Sequence, residues 1–173
     1  MIRRPWSVLA AAGTAAHHGF ELRAGVGLVF EPWLGRRGAL AAWGVALPLW
    51  AVAAAVGGPR WDRPIALWNG SALAGGLVHY AMWPWAMRRG VPTLTEAEGL
   101  RAEQVPAYDA VLKGWVVAAA AALARETGPG AWRYALGGLA QFEPLRRSAR
   151  HHFAWAREQA RRDPARWSPV LLR

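Results

Sequence analysis

The sequence predicts an all-α fold: a membrane-embedded bundle of about four transmembrane helices, with a C-terminal amphipathic basic helix after it. Three observations predict this. Residues 38–59 and 64–87 contain no Asp, Glu, Lys or Arg, and each is longer than the ~20 residues a helix needs to cross a hydrocarbon layer of ~30 Å. The connections between apolar segments are short. Tryptophans gather near the segment ends, where the amphipathic indole ring prefers the boundary between lipid and water.

Segment one covers residues 6–29. Its opening, MIRRPWSVLAAAGTAA, imitates a secretory signal: two arginines, an apolar run, then small residues. His17, His18, Glu21 and Arg23 follow, and then at once another apolar run, AGVGLVF. The segment is therefore read as one retained helix with a polar interruption. Segment two covers 39–57, bent by Pro48. Segment three covers 64–87. Segment four covers 108–124, where Asp109 and Lys113 stand four residues apart and are placed to pair at a helix end. GRRG at 35–38 and GPRWDR at 58–63 are short enough to force antiparallel neighbours. In the longer connection 88–106, Thr95 and Glu98 have the spacing of a helix cap. The small residues of AGVG and ALAGG allow close helix approach.

Residues 1–127 are read as the transmembrane four-helix domain. Residues 128–173, after Gly128-Pro129-Gly130, are read as a cytoplasmic or interfacial tail. In that tail Leu145, Ala149, Phe153, Ala156 and Ala160 recur at helical spacing, and six arginines between 146 and 162 occupy the rest of the surface. Such a helix suits a headgroup layer, or a solvated face packed on its own domain. The net charge of +10 matches anionic phosphates. Lipid headgroups are favoured over nucleic acid, because the arginines lie between apolar segments and in the tail. Counted over four spans, the positive-inside rule places both termini in the cytoplasm of a multi-pass cell-membrane protein. A soluble helical protein is the alternative that the low mean hydropathy, +0.05, keeps open. Cysteine is absent, which excludes disulfides, thiolate nucleophiles and cysteine metal sites. The bias toward Ala, Gly, Pro and Arg over Lys is that of a GC-rich, bacterial-like composition, so arginine content alone carries no functional meaning.

The candidate site is the polar interruption of segment one. Ionisable groups at mid-bilayer cost a few kcal/mol or more and face protein or water. His17 and Glu21 are one helical turn apart and share a face with Thr14. Segment three brings Asn69, Ser71, His79 and Tyr80. If segments one and three touch, a carboxyl and two imidazoles meet in a low-dielectric pocket, which is the equipment of general acid–base chemistry. His17, Glu21, His79 and Tyr80 are the candidate catalytic residues; His18, Arg23 and Asn69 are candidate ligand contacts. The bland reading of the same residues is a set of hydrogen bonds that locks helix packing.

The His-x-x-x-Glu spacing of His17 and Glu21, with Glu31 beyond it, resembles that of sterol isomerases of the emopamil-binding family. These are small helical membrane proteins that move a double bond by proton transfer. The resemblance covers only these residues, and no later segment shares it. It implies double-bond migration by proton transfer; on the residues themselves, Glu21 would exchange protons with His17 or His79 assisting and Tyr80 donating a hydrogen bond. From the residues themselves, the expected function is binding of a hydrophobic small molecule or partner through the His/Glu cluster. The alternative is a membrane isomerase, cyclase or hydratase acting on a lipid-soluble substrate. No metal ligand set is assigned and no cofactor is expected. A haem held by His17 or His18 with His79 is the one cofactor the histidines could carry. His151 and His152 are read as surface residues of the tail. No phosphate loop, nucleophile elbow, zincin motif or dinucleotide fingerprint is present.

Overall fold

A computed structural model describes all 173 residues. The chain is mostly helical, as predicted. Its elements are α1 (Pro5–Ala24), α2 (Glu31–Val56), α3 (Asp62–Met82), β1 (Trp85–Arg88), β2 (Val91–Leu94), α4 (Val105–Glu126), α5 (Trp132–Leu139) and α6 (Phe142–Arg162). The first four helices run up, down, up and down. α1 packs along α4, α3 lies between α4 and α5, and α6 lies on α3.

Several boundaries differ from those expected, each for a local reason. Segment one ends early because Gly25 takes a left-handed conformation (φ 75°) and its N–H closes the last turn of α1. α2 then begins at Glu31, whose carboxylate accepts a hydrogen bond from Leu28 N at 3.1 Å. GRRG is therefore no loop; it lies inside α2, where Gly35 makes a kink at φ 64°. Segment three stops at Met82, and residues 85–94 form an antiparallel hairpin, with Trp85 paired to Leu94 and Arg88 to Val91. Its two turn residues, Arg89 and Gly90, both have positive φ, which matches the right-handed twist of the strands. Thr95 starts no helix. Its hydroxyl bonds Pro84 O, and the cap before α4 is made instead by Gln104, whose side chain accepts from Arg101 N at 2.9 Å. Segment four sits inside α4, and Lys113 pairs with Asp109 at 2.6 Å.

Two helices are long and apolar enough to cross a membrane, α2 and the run Ala102–Glu126 that contains α4. The expected four spans would add α1 and α3, which do not meet that criterion. α2 is the more exposed of the two, with Leu40, Val45, Leu49, Val52 and Val56 facing outward.

The lower end is tied by polar contacts. Glu126 at the foot of α4 accepts from Trp6 N, Ser7 N and Ser7 Oγ at 2.7, 2.9 and 2.6 Å, and so caps α1 from across the bundle. Arg4 reaches Asp62 and Gly57 O. α3 and α5 meet backbone to backbone: a Cβ on Gly70 would lie 2.2 Å from Ala135 O, and one on Gly138 2.3 Å from Leu67 O.

The residues beyond 127 climb back up the bundle. Tyr134 of α5 lies by Arg63 at the foot of α3, Phe153 packs on Trp83 at its head, and Arg157 pairs with Glu98. Ser168 N then bonds Gly25 O, and Ser168 Oγ bonds Gly99 O, both at the upper end. The N-terminus is held at the lower end, by Arg3 N to Ala55 O. The expectation that both termini share one side thus fails. The apolar stripe of α6, read from sequence as suiting either a headgroup layer or a face packed on its own domain, docks on α3 and carries the C-terminus to the opposite end.

Candidate functional site

α1 places His17, His18 and Glu21 on its inner face near its upper end, all three buried. α3 brings His79 to them: the rings of His17 and His79 meet edge to face with centroids 4.7 Å apart. α4 supplies Tyr108, wholly buried, whose hydroxyl lies 2.9 Å from Glu21 Oε1 and 3.2 Å from His17 Nδ1. Trp115, two turns further along α4, stacks on His17 at 5.0 Å. His17 Nε2 faces Glu21 Oε2 at 3.4 Å, and His18 Nδ1 lies 3.9 Å from the same oxygen. His79 donates its Nδ1 proton to Gly75 O at 2.8 Å, since a carbonyl can only accept.

His17, His18, Glu21, His79 and Trp115 line a cavity of about 350 Å³ between α1, α2, α3 and α6, with Tyr108 behind them. Its walls are largely aromatic and aliphatic, with Trp43 and Trp50 from α2, Trp68 and Ala72 from α3, and Leu145 and Phe153 from α6. The indole N–H groups of Trp43, Trp50 and Trp115, and both ring nitrogens of His18, are buried without a hydrogen-bond partner. An orphaned buried donor or acceptor costs about 1–3 kcal/mol. A cavity lined by several of them is a site where an oxygen- or nitrogen-bearing ligand recovers that cost.

The predicted site residues divide into two groups. His17, His18, Glu21 and His79 come together. Tyr80 does not: its hydroxyl donates to Asp109 at 2.9 Å, beside Lys113, on another side of α3. Arg23 is exposed on the outer face of α1. Asn69 is buried but donates to Ser7 Oγ at 2.9 Å near the foot of α1. At 1.5 Å per residue it lies roughly 15 Å along α3 from His79. Of the pairs read from sequence as able to hold a haem, His17 or His18 with His79, the first has its rings in contact at 4.7 Å.

Three residues escaped the sequence reading. Tyr108 carried no local signal, since its role depends on α4 packing against α1. Trp115 packs between helices, against the histidine itself. His152 had a visible signal: it stands three residues after Ala149 and four before Ala156, on the apolar stripe of α6. It is buried, with Nε2 donating to Val26 O at 3.2 Å, whereas His151 is exposed. Burial pushes the His152 imidazole below its ordinary pKa, against the opposing pull of Glu21 and the Val26 carbonyl. Comparison of the chain with protein-family models, curated proteins and solved structures finds no match.

Proposed function

We propose that this is a small membrane protein that binds an apolar molecule in the cavity, with the molecule's polar end against His17, Glu21 and His79. The observation that carries the reading is the cavity itself: apolar aromatic walls ending in a compact polar group. Small-molecule sites have this make-up, a mostly apolar hollow of ≈ 300–1,000 Å³ with a few placed polar groups. Its 350 Å³ is at the small end of that range.

The exposed face of α2 supports the membrane part. It carries no charge from Gly38 to Val56 and presents Leu40, Val45, Leu49, Val52 and Val56 outward. Such a contiguous exposed apolar stripe is the kind of surface that marks a membrane or partner contact. The run that contains α4 passes the same test of length and hydropathy. The arginine-bearing α6 runs along α3 and stays on the flank away from the lipid that covers α2.

A bromine-labelled long-chain alcohol tests the binding. Added to the protein in nanodiscs, it quenches Trp43, Trp50 and Trp68 to a saturating limit. Ala72→Phe, which fills the cavity, removes the saturable part. Quenching that rises linearly and equally in both proteins contradicts the reading.

One observation favours a second reading, catalysis. The Tyr108 hydroxyl joins Glu21 to His17, both of which line the cavity, and gives a path along which a proton can move to or from a bound molecule. Glu21→Gln separates the two. A binder keeps its saturable quenching and has no turnover to lose; a catalyst keeps quenching and stops converting the bound molecule.

A further inference from the structure

We propose that His17, Glu21 and His79 bind one divalent transition-metal ion at the cavity floor, with His18 in reach as a fourth ligand. The inference deepens the proposed function and rests on that reading for what the ion would face.

Tyr108 has one hydroxyl proton. With Glu21 ionised, that proton goes to Oε1 at 2.9 Å. The same hydroxyl oxygen must then accept, at 3.2 Å, from His17 Nδ1–H. His17 Nε2 is left with a bare lone pair, and it points at Glu21 Oε2 at 3.4 Å. Two lone pairs facing each other in a buried site repel unless a cation lies between them. His79 repeats the pattern. Its Nδ1–H is tied to Gly75 O at 2.8 Å, so Nε2 carries a free lone pair. A histidine whose one nitrogen donates to an oxygen while the other is bare has the arrangement of a metal ligand and its orienting partner.

The spacing fits. One donor atom from each of His17, Glu21 and His79 lies within 4.8 Å of the others. Metal–nitrogen and metal–oxygen bonds of about 2.0–2.2 Å place tetrahedral neighbours roughly 3.3–3.6 Å apart. His17 and Glu21 already stand at that distance, and an inward movement of about an ångström by His79 completes the set. A proton would bridge only the first pair. It would leave both nitrogens of His18 orphaned, 3.9 Å from the shared carboxylate oxygen at the nearer one.

Imidazole and carboxylate together select zinc, iron or a similar divalent ion over calcium or magnesium. With three protein ligands a tetrahedral ion keeps one position open toward the cavity, where the polar end of a bound molecule would sit; His18 as a fourth ligand would close it.

Cobalt is the probe. The full chain, without a polyhistidine tag, is stripped with a chelator in detergent and titrated with Co²⁺, read by visible absorption. The expected result is saturation at one ion per chain and displacement by Zn²⁺. His79→Ala and Glu21→Gln abolish it, and Tyr108→Phe weakens it by about 10–100-fold. His151→Ala, on the exposed side of α6, changes nothing. If the glutamine variant does not fold, the wild-type titration and Tyr108→Phe decide. Folded wild-type protein that takes up no cobalt overturns the proposal, as does uptake that survives His79→Ala. Alcohol quenching is read on the same metal-free samples. Saturable quenching without metal uptake sinks the ion alone; metal uptake without saturable quenching sinks the apolar-ligand reading alone.

Discussion

Glu21 owes its position to two separate stretches of chain. One turn of helix puts it beside His17, and a tyrosine 87 residues away supplies its hydrogen bond. The first relation is readable from spacing, because a helix fixes which residues share a face. The second is a tertiary contact, and nothing near Tyr108 in the sequence announces it. The neighbouring pair of tyrosines shows the difference. Tyr80 stands beside His79 in sequence, yet one residue along a helix turns the side chain about 100° away, and its hydroxyl goes to Asp109. Tyr108→Phe therefore leaves a buried carboxylate oxygen unpaired and should cost about 1–3 kcal/mol. Tyr80→Phe should cost less, since Asp109 keeps Lys113 and Leu94 N as donors. Thermal unfolding in detergent measures both. Equal losses would contradict the placement of Tyr108 as the hydroxyl that holds the site.

Among the elements, α3 carries the most packing. It touches α4, α5 and α6, and its glycines set how near they come. Gly138→Ala would put a methyl group 2.3 Å from Leu67 O, a backbone atom that cannot rotate away. It should destabilise by about 1–3 kcal/mol or more through overpacking. Gly44→Ala, on the open face of α2 with nothing within 4 Å, should be neutral or stabilise by up to about 1 kcal/mol. Unfolding midpoints of the two variants check this, and a tolerated Gly138→Ala would mean that α3 and α5 are not in contact. The elements also show how far periodicity reaches. The uncharged run 64–87 announced an apolar helix, but Pro84 ends it and the Arg89-Gly90 turn lacks the usual Asn-Gly signal for a hairpin. The amphipathic pattern of α6 was plain in the spacing of Leu145, Ala149 and Phe153. What those side chains face was not, because a stripe that fits a headgroup layer fits the side of another helix equally well.

At the scale of the molecule, the two flanks of the cavity have opposite characters. α2 offers an uncharged apolar face. α6 offers arginines, several of them held by Glu143, Glu158 and Glu98. The cavity lies between them, behind α2. If lipid covers α2, an apolar molecule can reach the tryptophan walls without crossing water, and the histidines and Glu21 are sheltered by helices on every side. Access to the cavity and the shelter of its polar groups both depend on that covering. Its most direct test is to wash membranes from cells expressing the chain with alkaline carbonate and assay the pellet and supernatant. The chain should stay with the bilayer and need detergent for release. Recovery in the supernatant as a folded, monodisperse species without surfactant would contradict the account.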